Sequence, residues 1–315
     1  MSYQIAKRLF SLAVTMLLVM AAVFFVLQVL PGDPALVMLG PDAQPDTIAA
    51  LHRELGLDHS AIEQFGSWLG EMSRGDFGVS YAYHVPVVGL IVDRLAITVP
   101  LAIIATVLVI LLSVTLGVYA ATNHGNARGH AVMVFAQVGI AIPSFWFALL
   151  LILVFSIRLS WFPAGGFPGW AAGFWPAIQA LLLPSISLAL VQAAILTRVT
   201  RAALLEVLHE DFIRTARATG LSRRQVLWKH ALQNALIPVA TVMGLQFAAL
   251  VAGTIIIENV FSLPGLGRLL FLAVEQRDLI VIRSVVVLLV GVVVLTNYLV
   301  DIAYVFIDPR MRKAR

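Results

Sequence analysis

The residues that could do chemistry in this chain are concentrated in one charged stretch, which runs from Arg198 to Pro238. Seven lysine and arginine side chains lie in it, among them Arg214, Arg217 and Arg223. Guanidinium groups on a short segment can form charge-assisted hydrogen bonds with acidic groups of another protein. The chemistry that they suggest is therefore docking. The alternative is that these arginines are solvated and only orient the chain in a membrane, and the residue types alone leave both open.

The side chains of the chain give little indication of catalysis or of metal binding. The chain has no cysteine, which excludes disulfides, thiolate catalysis and thiolate metal sites. None of its three lysines follows a glycine, so no phosphate-binding P-loop can be completed. Its seven histidines show no ligand spacing on a helix, and the sequence contains no Gly-x-Ser-x-Gly or His-Glu-x-x-His motif. We expect a protein that is not an enzyme and that binds no metal and no cofactor itself.

The elements that must position the charged stretch are apolar. Hydrophobic residues make up 60% of the 315 residues and charged residues only 12%, which indicates a polytopic membrane protein. Six runs are long enough to cross a bilayer as helices: Leu9–Leu30, Ile97–Thr122, Ala131–Ile157, Ala177–Thr197, Leu236–Ile257 and Ser284–Ile307. We therefore expect an all-α protein with six transmembrane helices, the first of them an uncleaved anchor.

The positions of the basic residues predict the orientation. With the N-terminus inside, 14 of the 21 lysines and arginines lie in cytosolic segments and 7 in outer segments. This ratio favours cytoplasmic termini, because an even number of spans places both on the same side. The basic residues cluster at the ends of apolar runs, which argues for a lipid bilayer and against nucleic acid as the partner.

The spans and the segments between them predict three regions. The outer segment that follows the first span contains two amphipathic stretches, Asp46–Leu55 and Ile62–Met72, which predict short helices at the membrane surface. The first region, 1–96, is the N-terminal span with this outer segment. The second, 97–307, is a five-helix core in which the charged stretch forms the loop 198–238. The third, 308–315, is a basic cytoplasmic tail.

Proline lies inside several of the spans, for example at Pro100, Pro143 and Pro184. Each removes a backbone hydrogen bond and favours a kink. These are either ordinary kinks of membrane helices or hinges of a pathway that opens on alternate sides. The spans contain no carboxylate away from their ends, which disfavours an ion-coupled secondary carrier.

Within the charged stretch, apolar spacing and turn residues predict two short helices joined by a tight corner. One helix face would carry apolar residues at three-to-four spacing: Leu204, Leu205, Leu208, Phe212 and Ile213. Gly220 supplies the left-handed position that ends helices. Ser222 with Gln225 forms a capping box, and Leu221 with Val226 can form the hydrophobic staple of the second helix.

The same stretch resembles a known family. Residues 211–221 (DFIRTARATGL) with residues 229–238 (KHALQNALIP) are similar to the EAA-type loop of binding-protein-dependent ABC importers, and more narrowly to permeases of the dipeptide/oligopeptide/nickel group. Further matching stretches reach from the first span to the C-terminus: 30–34, 55–58, 75–78, 258–268 and 308–310. One departure is Arg214-Thr215-Ala216, where the general pattern has Glu-Ala-Ala, so no acidic contact is carried over to Arg214.

The resemblance implies a type I ABC importer permease in the bacterial cytoplasmic (inner) membrane. Such a chain forms half of a translocation pathway with a second, similar permease. Two ATPase subunits bind ATP and Mg²⁺, and an extracytoplasmic binding protein delivers the cargo. We expect short peptides as cargo, with nickel or another small solute as the alternative. The alternative from another class is a membrane receptor or scaffold that transports nothing.

Two sets of site residues are implied. The first would dock in an ATPase and couple ATP hydrolysis to transport: Asp211, Arg214, Thr215, Ala216, Arg217, Gly220, Leu221, Ser222 and Arg223. The second would meet the binding protein or line the mouth of the pathway: Asp33, Asp76, Phe77, Glu258, Pro264 and Gly265.

Overall fold

A computed structural model describes residues 2–29, 34–40, 43–54 and 56–307 of the chain. Nearly all of these residues are helical. The α-helices, numbered α1 to α13 in chain order, are Ser2–Val29, Pro34–Leu39, Pro45–Glu54, Ala61–Ser73, Val87–Thr122, Ala127–Ala141, Ser144–Leu151, Phe174–Leu208, Asp211–Ala218, Arg223–Gln225, Leu232–Val260, Leu266–Glu275 and Leu279–Ile307. Two π-helical segments, Ile152–Arg158 and Val226–Ala231, extend α7 and join α10 to α11.

The predicted all-α membrane architecture is confirmed. Among the described residues, five continuous helical stretches are long and apolar enough to cross a membrane, and a bent pair, α6 with α7, makes a sixth if it counts as one span. These six match the six predicted runs in order. The helices extend past the apolar runs, most of all in α8, which reaches Leu208 instead of Thr197. Hydropathy marks only the part of a helix that suits lipid, whereas backbone hydrogen bonding continues into the polar flanks.

The third span is broken, not merely kinked. Ala127–Ala141 and Ser144–Arg158 meet at an angle of 102°. Ile142 and Pro143 both have extended backbone, with ψ of 124° and 134°. Proline disfavours helical geometry in the residue before it and cannot donate a hydrogen bond itself, which explains a break at this position. Pro100 and Pro184 lie inside the continuous helices α5 and α8.

The chain forms two compact units. The first consists of Met1–Thr98 with Pro264–Tyr298, and the second consists of Val99–Leu263 with Leu299–Arg315. The three-region division made from the sequence stays a prediction.

The first unit contains the two helices predicted after the first span, as α3 and α4, while their place on the outer side of the membrane stays a prediction. Helix α4 begins with a capping box in which Ser60 and Glu63 exchange hydrogen bonds. It packs on α1 through an aromatic cluster, with the rings of Phe24 and Trp68 stacked at 5.6 Å. The guanidinium of Arg283, on α13, lies 5.3 Å above the Trp68 ring, so a cation–π contact joins α4 to α13.

The second unit is built around α8. In the most apolar stretch of α8, 72% of the residues are buried, whereas the same fraction is 28% or less in each of the other continuous spans. Helices α6, α7 and α11 all pack on it. Many of its buried positions are alanine and serine, and small residues let membrane helices approach closely. A Cβ at Gly139 of α6, for example, would lie 3.2 Å from Cβ of Ala194.

Candidate functional site

The charged corner, residues 209–231, begins where α8 ends. His209 caps α8 and its Nδ1 lies 2.6 Å from the Leu205 carbonyl. Helix α9 then starts at Asp211 after a short turn. The prediction of one helix face from Leu204 to Ile213 is therefore wrong in part. The turn ends α8 before Phe212, and within α9 Ile213 is fully buried while the adjacent Phe212 is 43% exposed.

Helix α9 is anchored in a hydrophobic core. The core takes residues from four helical segments: Val118 and Ala121 of α5, Ala203 and Leu204 of α8, Ile213 of α9, and Val226, Ala231, Leu232 and Ala235 around the start of α11. Full burial of a side chain the size of Ile213 contributes about 1.5–3 kcal/mol. One short helix is thus attached to the ends of three long ones, and a displacement of α9 must be shared by all of them.

Gly220 forms the predicted corner. Its φ is +87°, and its N–H donates to the Arg217 carbonyl at 3.1 Å. A Cβ added at Gly220 would meet nothing within 4 Å. The requirement for glycine here is therefore conformational, because L-residues with a side chain disfavour positive φ, and it does not arise from crowding.

The capping box at Ser222 is confirmed. The Gln225 N–H donates to Ser222 Oγ at 3.3 Å, and the Ser222 N–H donates to Gln225 Oε1 at 3.0 Å. The helix that it starts is not short, which corrects the prediction. α10 continues through the π-helical segment into α11, so that one helical stretch runs from Arg223 to Val260. Burial of Val226 and Ala231 attaches the beginning of this stretch to the core, while the polar residues before Val226 stay exposed.

The outer surface of the corner is basic with apolar side chains between the charges. All nine residues implied as ATPase contacts are exposed except Ala216, which is half-buried. Arg214 forms an ion pair with Asp211 at 3.3 Å, an exposed contact worth little energy by itself. Arg217 and Arg223 are exposed as well. Two aromatic residues of this segment, Phe212 and Trp228, are also exposed; the predicted apolar helix face included Phe212, whereas the sequence did not single out Trp228.

The residues predicted at the mouth differ in burial. Asp33 lies outside the described residues. Asp76 is exposed and accepts a hydrogen bond from the Gly78 N–H at 2.8 Å, while Phe77 is half-buried. Glu258 and Gly265 are buried, and the Pro264 carbonyl accepts a hydrogen bond from Arg94 at 3.3 Å. Their contact with a binding protein stays a prediction, and among those that the structure describes Asp76 alone is exposed.

Asp278, which sequence reasoning missed, holds the outer segment to α13. Its carboxylate is fully buried and accepts hydrogen bonds from the Ser80 hydroxyl at 2.5 Å, the Ala82 N–H at 3.1 Å and the Val281 N–H at 3.2 Å. Burial raises the pKa of the neighbouring Tyr81, and the negative charge of Asp278 raises it further, although Arg283 opposes the shift. An aspartate directly before a long apolar run is a helix N-cap signal that could have identified Asp278.

A cavity of about 380 Å³ lies in the second unit at the break between α6 and α7. It is lined by Ile140–Ser144 at the break, by Leu188, Val191 and Gln192 of α8, and by Ala249, Leu250 and Gly253 of α11. The side-chain oxygen Oε1 of Gln192 is buried and has no hydrogen-bond partner. The sequence did not indicate which residues line a pathway, because that depends on how three helices meet.

The fold and the anchored corner are those of a multi-pass membrane permease, and comparison with known proteins supplies the family. Residues 113–313 match the family described as "Binding-protein-dependent transport system inner membrane component". Residues 1–102 match the companion N-terminal family of the same systems. The chain belongs to this family and is a multi-pass inner membrane permease subunit of an ABC importer.

Relatives extend over the whole chain. A protein of Sinorhizobium fredii named "Probable peptide ABC transporter permease protein" is 39% identical over 312 residues, covering 99% of this chain and 100% of its own. The glutathione transport system permease protein of Escherichia coli K12 is 40% identical over 308 residues, covering 98% of each chain. Importers of this family combine permeases with ATPase and substrate-binding proteins, so these are partners of the chain in general terms.

Solved structures show the same fold. An inward-facing methionine ABC transporter, MetNI, matches with a TM-score of 0.58 and 19% identity over 70% of this chain and 96% of its own. A second crystal form of the same transporter matches with a TM-score of 0.56. The match covers nearly all of the methionine transporter chain but only 70% of this chain, so part of this chain lies outside the shared fold.

Proposed function

We propose that this chain forms half of the translocation pathway of an importer for short peptides, and that its charged corner receives the driving motion from an ATPase subunit. The observation that carries the proposal is the corner itself. Helix α9 is fixed to α5, α8 and α11 by the buried Ile213, while its basic residues stay exposed. The peptide cargo is supported by the names of the full-length relatives, which refer to peptides and to glutathione.

The corner would work as a rigid link. Seated in a groove of the ATPase, α9 would be displaced when the two ATPase subunits bind ATP and Mg²⁺ and close. Because the ends of three membrane helices share the core around Ile213, these helices would move with it. Arg217 and Arg223 would supply charge-assisted hydrogen bonds to the groove, and Phe212 and Leu221 would supply apolar contact.

The complete assembly would hold two permeases, two ATPases and one binding protein. We infer that both termini and the charged corner face the cytoplasm, on the side of ATP, as the distribution of basic residues favours. The second permease would be a similar but separate chain. On the opposite side, Asp76 and Phe77 would meet the binding protein, together with Asp33, while Glu258, Pro264 and Gly265 would shape the mouth.

The experiment is reconstitution of the chain with its partner permease, its ATPases and its binding protein in liposomes. We expect di- and oligopeptides to stimulate ATP hydrolysis and to accumulate inside in the presence of ATP. If nickel stimulates hydrolysis and peptides do not, the peptide cargo is wrong. If no solute accumulates with ATP although the complex assembles, the chain is a receptor or scaffold.

A further inference from the structure

The cavity at the break between α6 and α7 has a polar wall that the proposed coupling function does not explain. Pro143 has no N–H, so the Gly139 carbonyl cannot receive the helical hydrogen bond that it would otherwise accept. On the other side of the break, α7 begins at Ser144, and the first amides of a helix have no partner within it. Irregular backbone inside a membrane is tolerated only where protein buries it or where it lines a water-filled cavity.

Gln192 places an amide against this cavity. Its Oε1 is buried without a hydrogen-bond partner, and leaving such a group unpaired costs about 1–3 kcal/mol. Ser185 lies seven residues earlier on α8, which puts it on the same helix face, and its hydroxyl is also buried and unpartnered. Two unpaired polar groups on one face of the most buried span destabilise the protein unless a ligand pairs with them.

Gln246 adds a second amide from α11. It lies three and four residues before Ala249 and Leu250, which line the cavity, and therefore occupies the same face one turn away. Both its Oε1 and its Nε2 are buried without a partner. Helix α11 packs directly on α8, so both glutamines lie on helices that line the cavity, Gln192 in its wall and Gln246 one turn before the lining residues of α11.

We propose that Gln192 and Gln246 form an amide-lined binding site for the peptide groups of the cargo during its passage. A carboxamide both donates and accepts hydrogen bonds, as a peptide group does, so it can pair with a peptide backbone whatever the side chains are. Uncharged groups also bind weakly enough to release the cargo, which conduction requires. This inference rests on the proposed peptide import and adds to it the residues that contact the cargo.

The first test replaces each amide by an apolar group of similar size. In liposomes, Gln192→Leu and Gln246→Leu should each lower the peptide uptake per ATP hydrolysed about two- to tenfold, because one hydrogen bond to the cargo is lost. Hydrolysis stimulated by the loaded binding protein should stay near the wild-type rate. The matched control is Gln179→Leu on the same helix, whose amide donates to the Trp161 carbonyl at 3.0 Å and lies away from the cavity.

The second test uses the absence of cysteine in the chain. Thiols introduced by Gln192→Cys and Gln246→Cys should react with a small water-soluble thiol reagent, detected on this chain by mass spectrometry. A dipeptide trapped in the complex should slow this reaction several-fold. Leu245→Cys, at an exposed position of α11, should show no protection by the dipeptide.

The outcomes separate the two proposals. If the wild-type complex takes up no peptide, both the proposed function and this site are wrong. If the wild type takes up peptides while both leucine variants keep the wild-type ratio of uptake to hydrolysis, only the amide site is wrong. If the thiols at positions 192 and 246 react only when the second permease is missing, the amide site is also wrong, because these positions would then lie in the interface between the two permeases.

Discussion

Single residues of the charged corner carry distinct requirements. Gly220 is needed for its backbone conformation, since nothing crowds its Cβ position. We expect the exposed arginines to be needed for their charge, and Ile213 for its volume in the core. These three requirements can be tested one at a time.

Gly220→Val should uncouple transport from ATP hydrolysis. A β-branched residue at φ of +87° costs about 1–3 kcal/mol of strain, which the corner can relieve by changing its shape. We expect uptake in reconstituted liposomes to fall about tenfold. Gly220→Asn is the control, because asparagine adopts the left-handed region more readily, and it should keep most of the uptake. Normal uptake by the valine variant would show that the corner conformation is irrelevant to coupling.

Reversal of charge at the corner should weaken attachment of the ATPases. In the double variant Arg217→Glu with Arg223→Glu, two exposed cations that can contact the ATPase become anions. Co-purification of the ATPase subunits should drop several-fold while the permease still inserts in the membrane. Arg53→Glu, on the outer helix α3, should leave the ratio of the subunits unchanged. A wild-type ratio in the double variant would mean that these arginines only orient the chain.

At the scale of elements, the neighbouring residues Ile213 and Phe212 of α9 differ in burial. Ile213→Ala removes a fully buried side chain from the core and should destabilise the chain by about 2–5 kcal/mol, visible as a lower midpoint of thermal unfolding in detergent. Phe212→Ala removes an exposed side chain and should leave that midpoint nearly unchanged, while it weakens binding of the ATPase. Equal loss of stability in both would contradict the observed burial of Ile213 and exposure of Phe212.

The start of α4 should be sensitive to acid. The hydrogen bond from the Ser60 backbone holds the pKa of Glu63 below its usual value of 4.5. The stabilisation is therefore fully present above pH 4.5 and is lost as the pH falls through the lower pKa of the folded state. Hydrogen exchange of the amides at the start of α4 should become faster on acidification. Glu63→Gln should remove this pH dependence, and its persistence in that variant would assign it to another group.

At the scale of the whole molecule, the orientation in the bilayer can be tested with the cysteine-free chain. Thiols introduced by Thr219→Cys and Asp76→Cys, both at exposed positions, should react with an impermeant reagent from opposite sides. We expect Thr219→Cys to be labelled in inside-out vesicles and Asp76→Cys in intact spheroplasts. Labelling of both from one side would overturn the inferred topology with both termini in the cytoplasm.

The sequence by itself determined what depends on local patterns. The lengths of apolar runs predicted all six spans, because a bilayer demands about 20 apolar residues from each helix. Gly220 and the pair Ser222 and Gln225 predicted the corner, since left-handed backbone and helix capping are set by residues a few positions apart. The resemblance carried by this stretch also identified the family.

The tertiary structure decided what depends on contacts between distant residues. A turn after α8 buries Ile213 and exposes Phe212, although both fit one helical pattern in the sequence. Asp278 meets Ser80, which lies 198 residues earlier, and only the packed chain shows that this carboxylate is satisfied while the amide oxygen of Gln192 is not. Periodicity and capping follow from the backbone alone, whereas burial and the pairing of polar atoms are decided by which helices meet.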